Sequence, residues 1–93
     1  MRIQWTAKAV SDLDRLHEFL AAVNPPAAAR VLNALVSAPK RLIGHPRLGE
    51  KLEEFSPREV RRLLIADYEL RYEIQQDIIF LLRIWHTREN RNQ

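Results

Sequence analysis

The stretch that decides the fold is "REVRRLLIADYELRYEIQQDIIFLLRIWH", residues 58–86. It contains three runs, 58–65, 68–74 and 78–86, that are dense in β-branched, aromatic and leucine residues. Short polar links separate the runs. Such composition is typical of strands, and such short links allow only antiparallel neighbours. The stretch therefore predicts a three-stranded meander.

The middle run has the cleanest alternation of the three. Its apolar and aromatic side chains fall on one side of a pleated strand and its charged side chains on the other, because successive residues point to opposite faces. The first set is Tyr68, Leu70, Tyr72 and Ile74, and the second is Glu69, Arg71 and Glu73. One face is thus predicted to be core and the other to be charged and solvated.

The register of the last hairpin depends on the length of its loop. A three-residue loop, 75–77, places Leu70 opposite Leu82 and Glu69 opposite Arg83. A two-residue loop instead sets Leu70 against Arg83 and brings mismatched faces together. We therefore predict the three-residue loop.

The first half of the chain reads as one strand and two helices. Residues 2–5 alternate as a short strand, and Thr6 stands where a helix cap belongs. A helix over 7–22 follows, with a predicted buried stripe of Val10, Leu13, Leu16, Leu20 and Val23. Asn24 and Pro25 predict the start of a second helix with apolar positions Val31, Leu35, Ala38 and Leu42, flanked by Leu32 and Val36.

The connections set how these elements pack. Pro39 should end the regular second helix near Ala38, because it removes a hydrogen bond of the helix. A link of about three residues makes the two helices an antiparallel hairpin. Residues 44–57 are irregular, with a helical turn or short strand near 51–55. We predict an α+β fold of order β-α-α-β-β-β, with the hairpin on one face of a small, mainly antiparallel sheet and Glu69, Arg71, Glu73, Arg83 and Trp85 on the other.

Composition limits the class of protein. The 93 residues predict a single domain over 1–93. With no cysteine and three scattered histidines, we expect no metal site and no cofactor. No apolar run approaches the length of a membrane span, so we expect a cytoplasmic protein without a membrane partner. The net charge is +3, and every basic residue from 58 onward is arginine, the residue favoured for bidentate recognition.

The order of elements, together with several short motifs, resembles the RelE/ParE superfamily of toxins from type II toxin–antitoxin systems. The resemblance covers nearly the whole chain, and its last two motifs are similar to the ParE, or plasmid-stabilisation, branch. The motifs are Trp5 followed by "A..DL..L..F" from Ala9 to Phe19, "P.AA.RV...L" ending at Leu35, "REVRRL" at 58–63, "YELRYEI" at 68–74 and "LRIWHTRENR" at 82–91.

The resemblance implies one of two activities. RelE-like members cut messenger RNA on the ribosome, which requires proton transfer and cations facing the phosphate. For that activity the candidates here are His86, Arg62 and Arg88. However, Glu69 stands where that branch has a basic residue, and no tyrosine follows His86. ParE-like members inhibit DNA gyrase by binding, without catalytic residues.

We therefore expect a ParE-like, non-enzymatic gyrase inhibitor that a ParD-like antitoxin neutralises by covering part of the hairpin and an edge of the sheet. The alternatives are a RelE-like ribonuclease and a non-toxic member that only binds its antitoxin. We expect no direct sequence-specific DNA binding. The arginines can also be no more than cross-strand ion pairs, each contributing about 0–1 kcal/mol. The predicted partner-binding residues are Arg58, Arg61, Arg62, Arg71, Arg83, Trp85, His86, Arg88 and Arg91.

Overall fold

The computed structural model describes residues 1–89 and confirms the predicted order of elements. A strand leads into a helical pair, and a meander follows after an irregular connection. The elements are β1 (Arg2–Trp5), α1 (Ala7–Val23), α2 (Pro25–Ser37), a 3-10 turn (Ala38–Lys40), α3 (Arg41–Gly44), β2 (Glu50–Lys51), a second 3-10 turn (Glu53–Phe55), β3 (Glu59–Ile65), β4 (Tyr68–Gln75) and β5 (Ile78–His86).

The five strands form one sheet in the order β1-β5-β4-β3-β2. Only β1 and β5 run parallel, so the sheet is mainly antiparallel, as predicted. The segment predicted to hold a turn or short strand contains both, namely β2 and the second 3-10 turn.

The predicted register of β4 and β5 is wrong. Gln75 pairs with Ile78, so the loop has two residues, and Gln76 adopts the left-handed backbone (φ 54°) that such a tight turn needs. The mismatch that argued against this loop is removed by a β-bulge. Tyr72 pairs with Leu81 but Arg71 pairs with Arg83, which leaves Leu82 as the extra residue.

The bulge restores the match between the apolar faces. Beyond it, Leu70 pairs with Ile84 and Tyr68 with His86. The near face of the sheet, which packs against the core, therefore carries Tyr68, Leu70 and Tyr72. The far face carries Glu69, Arg71 and Glu73 of β4, Val60 and Arg62 of β3, and Arg83 and Trp85 of β5.

Helix α1 begins at its predicted cap. The Thr6 hydroxyl accepts a hydrogen bond of 3.2 Å from the N–H of Ala9 and donates one of 2.6 Å to the carbonyl of Leu81. The predicted buried stripe is only partly correct, because Val10 and Val23 are 44% and 76% exposed. The helix is rotated so that its buried residues are Ala9, Asp12 and Leu16, flanked by Leu13 and Leu20.

Asn24 alone links the two helices, so the connection is shorter than the predicted three residues. Its backbone N–H ends α1 by donating to Leu20 at 2.7 Å, and its side chain caps α2 by accepting from Ala27 at 3.2 Å. Pro39 ends the regular part of α2 as predicted, and the chain continues as a 3-10 turn. Leu35 and Leu42 from this region join the core.

Helix α1 packs on β5, and α2 packs on α1. The core between helices and sheet includes Leu16, Leu35, Leu70, Tyr72 and Ile84. Within residues 1–89, no helix has the length and apolarity required to cross a membrane. The hairpin thus covers one face of the sheet, and the charged residues of β4, Glu69, Arg71 and Glu73, lie on the other.

Candidate functional site

The charged residues of the far face are buried rather than solvated. Glu69, Arg71 and Glu73 are only 2%, 8% and 5% exposed. The expectation that they face solvent is therefore wrong. Charged groups tolerate burial only when they are paired or hydrogen-bonded, and the far face supplies partners for each of them.

Glu73 is held by Arg58 in a two-point contact. The Nη2 and Nε atoms of Arg58 donate to the two carboxylate oxygens at 2.6 and 3.1 Å. These hydrogen bonds lower the pKa of Glu73 despite the opposing effect of its burial. The side chain of Arg58 itself remains 55% exposed. One edge of this guanidinium is thus occupied while much of the group stays accessible.

Arg62 connects two carboxylates. Its Nε donates to Glu50 at 2.7 Å, and its Nη1 lies 3.7 Å from Glu69. The side chain is 38% exposed. These two acidic neighbours balance the charge of Arg62.

Arg71 is enclosed by aromatic rings. Its guanidinium carbon lies 5.3 Å from the ring centre of Phe55 and 5.0 Å from that of Trp85, and its Nη2 donates to Glu69 at 3.2 Å. Trp85 is only 6% exposed, so its predicted exposure is also wrong. The second 3-10 turn brings Phe55 over the strand, and cation–π contact makes burial of the guanidinium tolerable.

Arg83 reaches past the edge of the sheet to helix α1. It donates from Nε and Nη2 to the carboxylate of Asp12 at 2.8 and 3.1 Å, and its guanidinium carbon lies 5.4 Å from the ring centre of Trp85. Burial of Asp12 opposes its ionisation, but the hydrogen bonds from Arg83 and from the Ile84 N–H outweigh burial and lower its pKa. The predicted opposition of Arg83 and Glu69 does not occur.

Arg61 lies on the near face, away from the other arginines of this region. It pairs with Tyr72 across the strands, donates to Glu59 at 2.9 Å and donates to the carbonyl of Gly49 at 2.7 Å. Its side chain is 15% exposed. The structure therefore divides the predicted arginine surface between two faces of the sheet.

A groove runs between α1 and the end of β5. We call it the α1 groove, a cavity of about 550 Å³ lined by Arg15, Leu16, Phe19, Leu20, Tyr68, His86, Arg88 and Glu89. Its floor is apolar and its rim is charged. Phe19 is 70% exposed beside it, which is unusual for so large an apolar side chain.

His86 and Tyr68 meet at one end of this groove. Their rings are 5.1 Å apart in an edge-to-face contact, and His86 Nδ1 accepts from the N–H of Arg88 at 3.0 Å. Sequence reasoning sought a tyrosine only after His86 and missed Tyr68. The observed register pairs Tyr68 directly with His86, so a correct prediction of the register would have identified this pair.

The three residues proposed for RNA cleavage do not come together. His86 pairs with Tyr68 on the near face, whereas Arg62 pairs with Arg71 on the far face. Arg88 lies beside His86 and is exposed. The predicted contribution of Arg91 lies outside the described residues. Within residues 1–89, no group of three or more acidic or histidine side chains is arranged to hold a metal ion.

Comparison with known proteins decides the family. Residues 3–91 match the family model described as the ParE toxin of the type II toxin–antitoxin system parDE. The chain belongs to the ParE toxin family. The predicted membership of the RelE/ParE superfamily, in its ParE branch, is confirmed.

Similar proteins agree with this assignment. Toxin RelE2 of Caulobacter vibrioides is 27% identical over 86 residues, which cover 92% of this chain and 94% of that toxin. The protein Y4kP of Sinorhizobium fredii is 32% identical over 90 residues, which cover 95% of this chain and 90% of Y4kP. A chain of the chromosomal ParDE toxin–antitoxin system from P. aeruginosa superposes with a TM-score of 0.78 at 25% identity, covering 92% of this chain and 95% of that one.

Membership of the ParE family makes this chain a toxin of a type II toxin–antitoxin system and implies an antitoxin partner. The predicted α+β fold is confirmed by the same structural neighbour. Both names, ParE and RelE, occur among its relatives. The choice between their activities therefore rests on the residues of this chain.

Proposed function

We propose that this ParE-family chain inhibits DNA gyrase in the cytoplasm by binding to it, without catalysing a reaction. The observation that carries the proposal is the separation of His86 from Arg62 on opposite faces of the sheet. A ribonuclease needs a proton-transfer group and cations around one phosphate. Because these groups are divided here, binding is the better-supported mode of action.

The internal pairing of the arginines gives further support. Arg58, Arg62 and Arg83 each have a carboxylate within 3 Å. A nuclease site would keep such cations available for the developing charge on phosphate. Paired arginines on a sheet instead make an ordered surface whose exposed edges can still donate to a protein partner.

The residues proposed for partner binding fall into two groups. Those accessible enough to touch a partner directly are Arg58, Arg62, Arg83, His86 and Arg88. Arg71 and Trp85 are largely buried and would contribute mainly by holding the far face in shape. Arg61 is also largely buried, but it lies on the near face and would act there by holding Glu59 and Gly49. Arg91 completes the proposed set from outside the described residues.

The α1 groove is the proposed site for a ParD-like antitoxin. Its apolar floor and the exposed Phe19 suit the apolar side of an amphipathic segment, and Arg88 at the rim suits an acidic residue. Arg15, also at the rim, is already paired with Asp12 and Glu89. Phe19→Asp should therefore weaken the complex strongly, by about 2 kcal/mol or more. Lys40→Asp, at an exposed position outside the groove, is the matched control.

Removing the C-terminal half of the antitoxin should abolish the complex, and tight binding by the truncated antitoxin would exclude this placement.

The proposed target is tested by inducing the toxin without its antitoxin and assaying two reactions in parallel. One is supercoiling by purified gyrase, and the other is cleavage of messenger RNA on ribosomes. Loss of supercoiling with intact messenger RNA, reversed by added antitoxin, is the expected result. Cleaved messenger RNA with unaffected gyrase overturns the proposal.

One observation favours the ribonuclease alternative. The edge-to-face pair of Tyr68 and His86 places an aromatic hydroxyl residue beside a histidine, with Arg88 next to them. Against it, Glu69 occupies the position where a cation would be required, and it is buried among arginines of the opposite face. If the induced toxin neither affects gyrase nor cleaves messenger RNA and cells keep growing, the remaining alternative is a member that only binds its antitoxin.

A further inference from the structure

A second cavity opens on the far face, where the sheet meets the start of α1. We call it the far-face cavity; its volume is about 410 Å³, and it is lined by Thr6, Ala7, Lys8, Phe55, Arg71, Leu82, Arg83 and Trp85. Three of these side chains are cationic, and none is acidic. The remainder are apolar, apart from the hydroxyl of Thr6. A cavity with this lining suits an anion attached to an apolar group.

The end of helix α1 adds to the positive potential. The first N–H groups of a helix have no acceptors within the helix and carry partial positive charge. Thr6 satisfies the N–H of Ala9, but Ala7 and Lys8 line the cavity and the first turn contains no acidic residue. An anion in the far-face cavity would thus meet the helix terminus as well as the three cationic side chains.

Arg71 links the cavity to the buried network. Its side chain is nine-tenths buried, its Nη2 donates to Glu69, and within residues 1–89 its Nε has no hydrogen-bond partner. Buried polar atoms are normally hydrogen-bonded, so this Nε is a donor that an acceptor entering the cavity would satisfy. A small rearrangement on binding would let this guanidinium share an additional acceptor.

The balance of charge limits what the cavity can take. Arg83 is neutralised by Asp12, and Arg71 shares Glu69 with Arg62. The positive charge that is not neutralised within the protein is then that of Lys8 and the helix terminus. A ligand with about one negative charge would balance it. A single carboxylate meets this requirement, whereas a phosphate dianion would exceed it.

The aromatic walls argue against a nucleotide. Three arginines contact the two rings. The guanidinium carbon of Arg71 lies 5.0 Å from the ring centre of Trp85 and 5.3 Å from that of Phe55. Arg83 lies 5.4 Å from Trp85, and Arg58 lies 6.0 Å from Phe55. A base can stack only on a free ring face. Because these ring faces already contact arginines, an RNA phosphate could pair with a cation here, but its base would have no free ring face to stack on.

We propose that the far-face cavity binds the carboxylate side chain of an acidic protein segment in which an apolar residue adjoins the aspartate or glutamate. The apolar neighbour would contact Leu82 and Phe55 while the carboxylate faces Lys8 and the helix terminus. The inference rests on the proposed mode of action, binding to protein partners, and adds a specific recognition pocket to it. The pocket is separate from the α1 groove assigned to the antitoxin.

The test uses the full-length chain labelled with ¹⁵N and two blocked tripeptides, Leu-Glu-Leu and Leu-Gln-Leu. Titration of the glutamate peptide should shift the amide signals of Ala7 and Lys8 and the side-chain signal of Arg83. The glutamine peptide should bind at least about fivefold more weakly, because it lacks the charge. Equal affinity for both peptides, or shifts confined to the α1 groove, overturns the proposal.

Lys8→Gln should weaken binding of the glutamate peptide by about three- to tenfold. Lys8 is exposed, so the variant should fold, and Lys51→Gln at another exposed position should bind like the unaltered chain. Titrations with inorganic phosphate and with a short single-stranded RNA form a further arm. Tighter binding of either at the same amides would assign the cavity to phosphate and exclude the proposal. Peptide binding that fails while gyrase inhibition persists refutes this pocket alone.

Discussion

The carboxylate of Asp12 on α1 accepts a hydrogen bond of 2.8 Å from the backbone N–H of Ile84 on β5. Strand β1 ends at Trp5, which pairs with Leu81, so β5 extends beyond its parallel neighbour. In this extension, Asp12 accepts from the N–H of Ile84, and Arg15 donates to the carbonyl of Ile84 at 3.2 Å. Two helix side chains thus complete the hydrogen bonding of β5 where β1 stops, which fixes α1 on the sheet.

Asp12→Asn should lower the free energy of unfolding by about 1–3 kcal/mol. The change removes the charge that holds Arg83 and weakens the bond to the buried N–H of Ile84. Urea denaturation followed by circular dichroism measures the effect. Asp14→Asn, two residues along the same helix and exposed, should change the stability by less than about 0.5 kcal/mol. Equal losses in the two variants would show that the contact contributes nothing.

The stability should also depend on pH through Asp12. Because its pKa is lowered from 3.8 on folding, its ionised form contributes stability above that value. That contribution is lost as the pH falls through the lower pKa of the folded state. Glu73, lowered from 4.5, acts in the same direction. Denaturation curves between about pH 2 and 6 should therefore show a smaller loss of stability on acidification for Asp12→Asn than for the unaltered chain. Parallel pH profiles would contradict this.

Gly49 and Tyr72 fix the irregular connection to the sheet. The Tyr72 hydroxyl donates to the carbonyl of Pro46 at 2.8 Å and accepts from the N–H of Gly49 at 2.9 Å. Tyr72→Phe should therefore lower the unfolding free energy by about 1–2 kcal/mol.

A Cβ at Gly49 would lie 2.5 Å from the carbonyl oxygen of Arg62. Because that atom is backbone, Gly49→Ala should destabilise by about 1–3 kcal/mol.

Gly44→Ala is the matched control for this change. A Cβ there meets no atom of the described part of the chain within 4 Å, and Gly44 ends the short helix α3. The thermal midpoint of the Gly44→Ala variant should equal or slightly exceed that of the unaltered chain, because alanine loses less backbone entropy on folding than glycine does. A decrease as large as that of Gly49→Ala would mean that close approach at Gly49 is not the cause.

His86→Gln separates binding from proton transfer. Glutamine can still accept the hydrogen bond that Arg88 donates to His86 Nδ1, but it cannot act as a general acid or base. His86 belongs to the proposed partner-binding set, but glutamine keeps a polar side chain at that position. Under the proposed function, the variant should therefore inhibit gyrase within about threefold of the unaltered toxin. A ribonuclease would instead lose about a hundredfold or more. Growth arrest and supercoiling measured side by side give the result, and loss of arrest with full antitoxin binding would favour catalysis.

The sequence alone determined the order of elements and the helix boundaries, because these depend on local signals. Thr6, Asn24 and Pro39 each act within a few residues, through caps or through a missing N–H, and all three do so as predicted. The alternation of Tyr68 to Ile74 likewise assigned the faces of β4 correctly. The family followed from motifs distributed over nearly the whole chain.

The tertiary structure decided the register of β4 and β5, the rotation of α1 and the burial of the charged side chains, since each depends on groups distant in sequence. The bulge at Leu82 settles the register only once Ile84 must match Leu70 in the core. Burial of Asp12 follows from the exposed edge of β5, 72 residues away in sequence. Arg71 is buried between the rings of Phe55 and Trp85, and no pattern within β4 or β5 predicts the contact with Phe55.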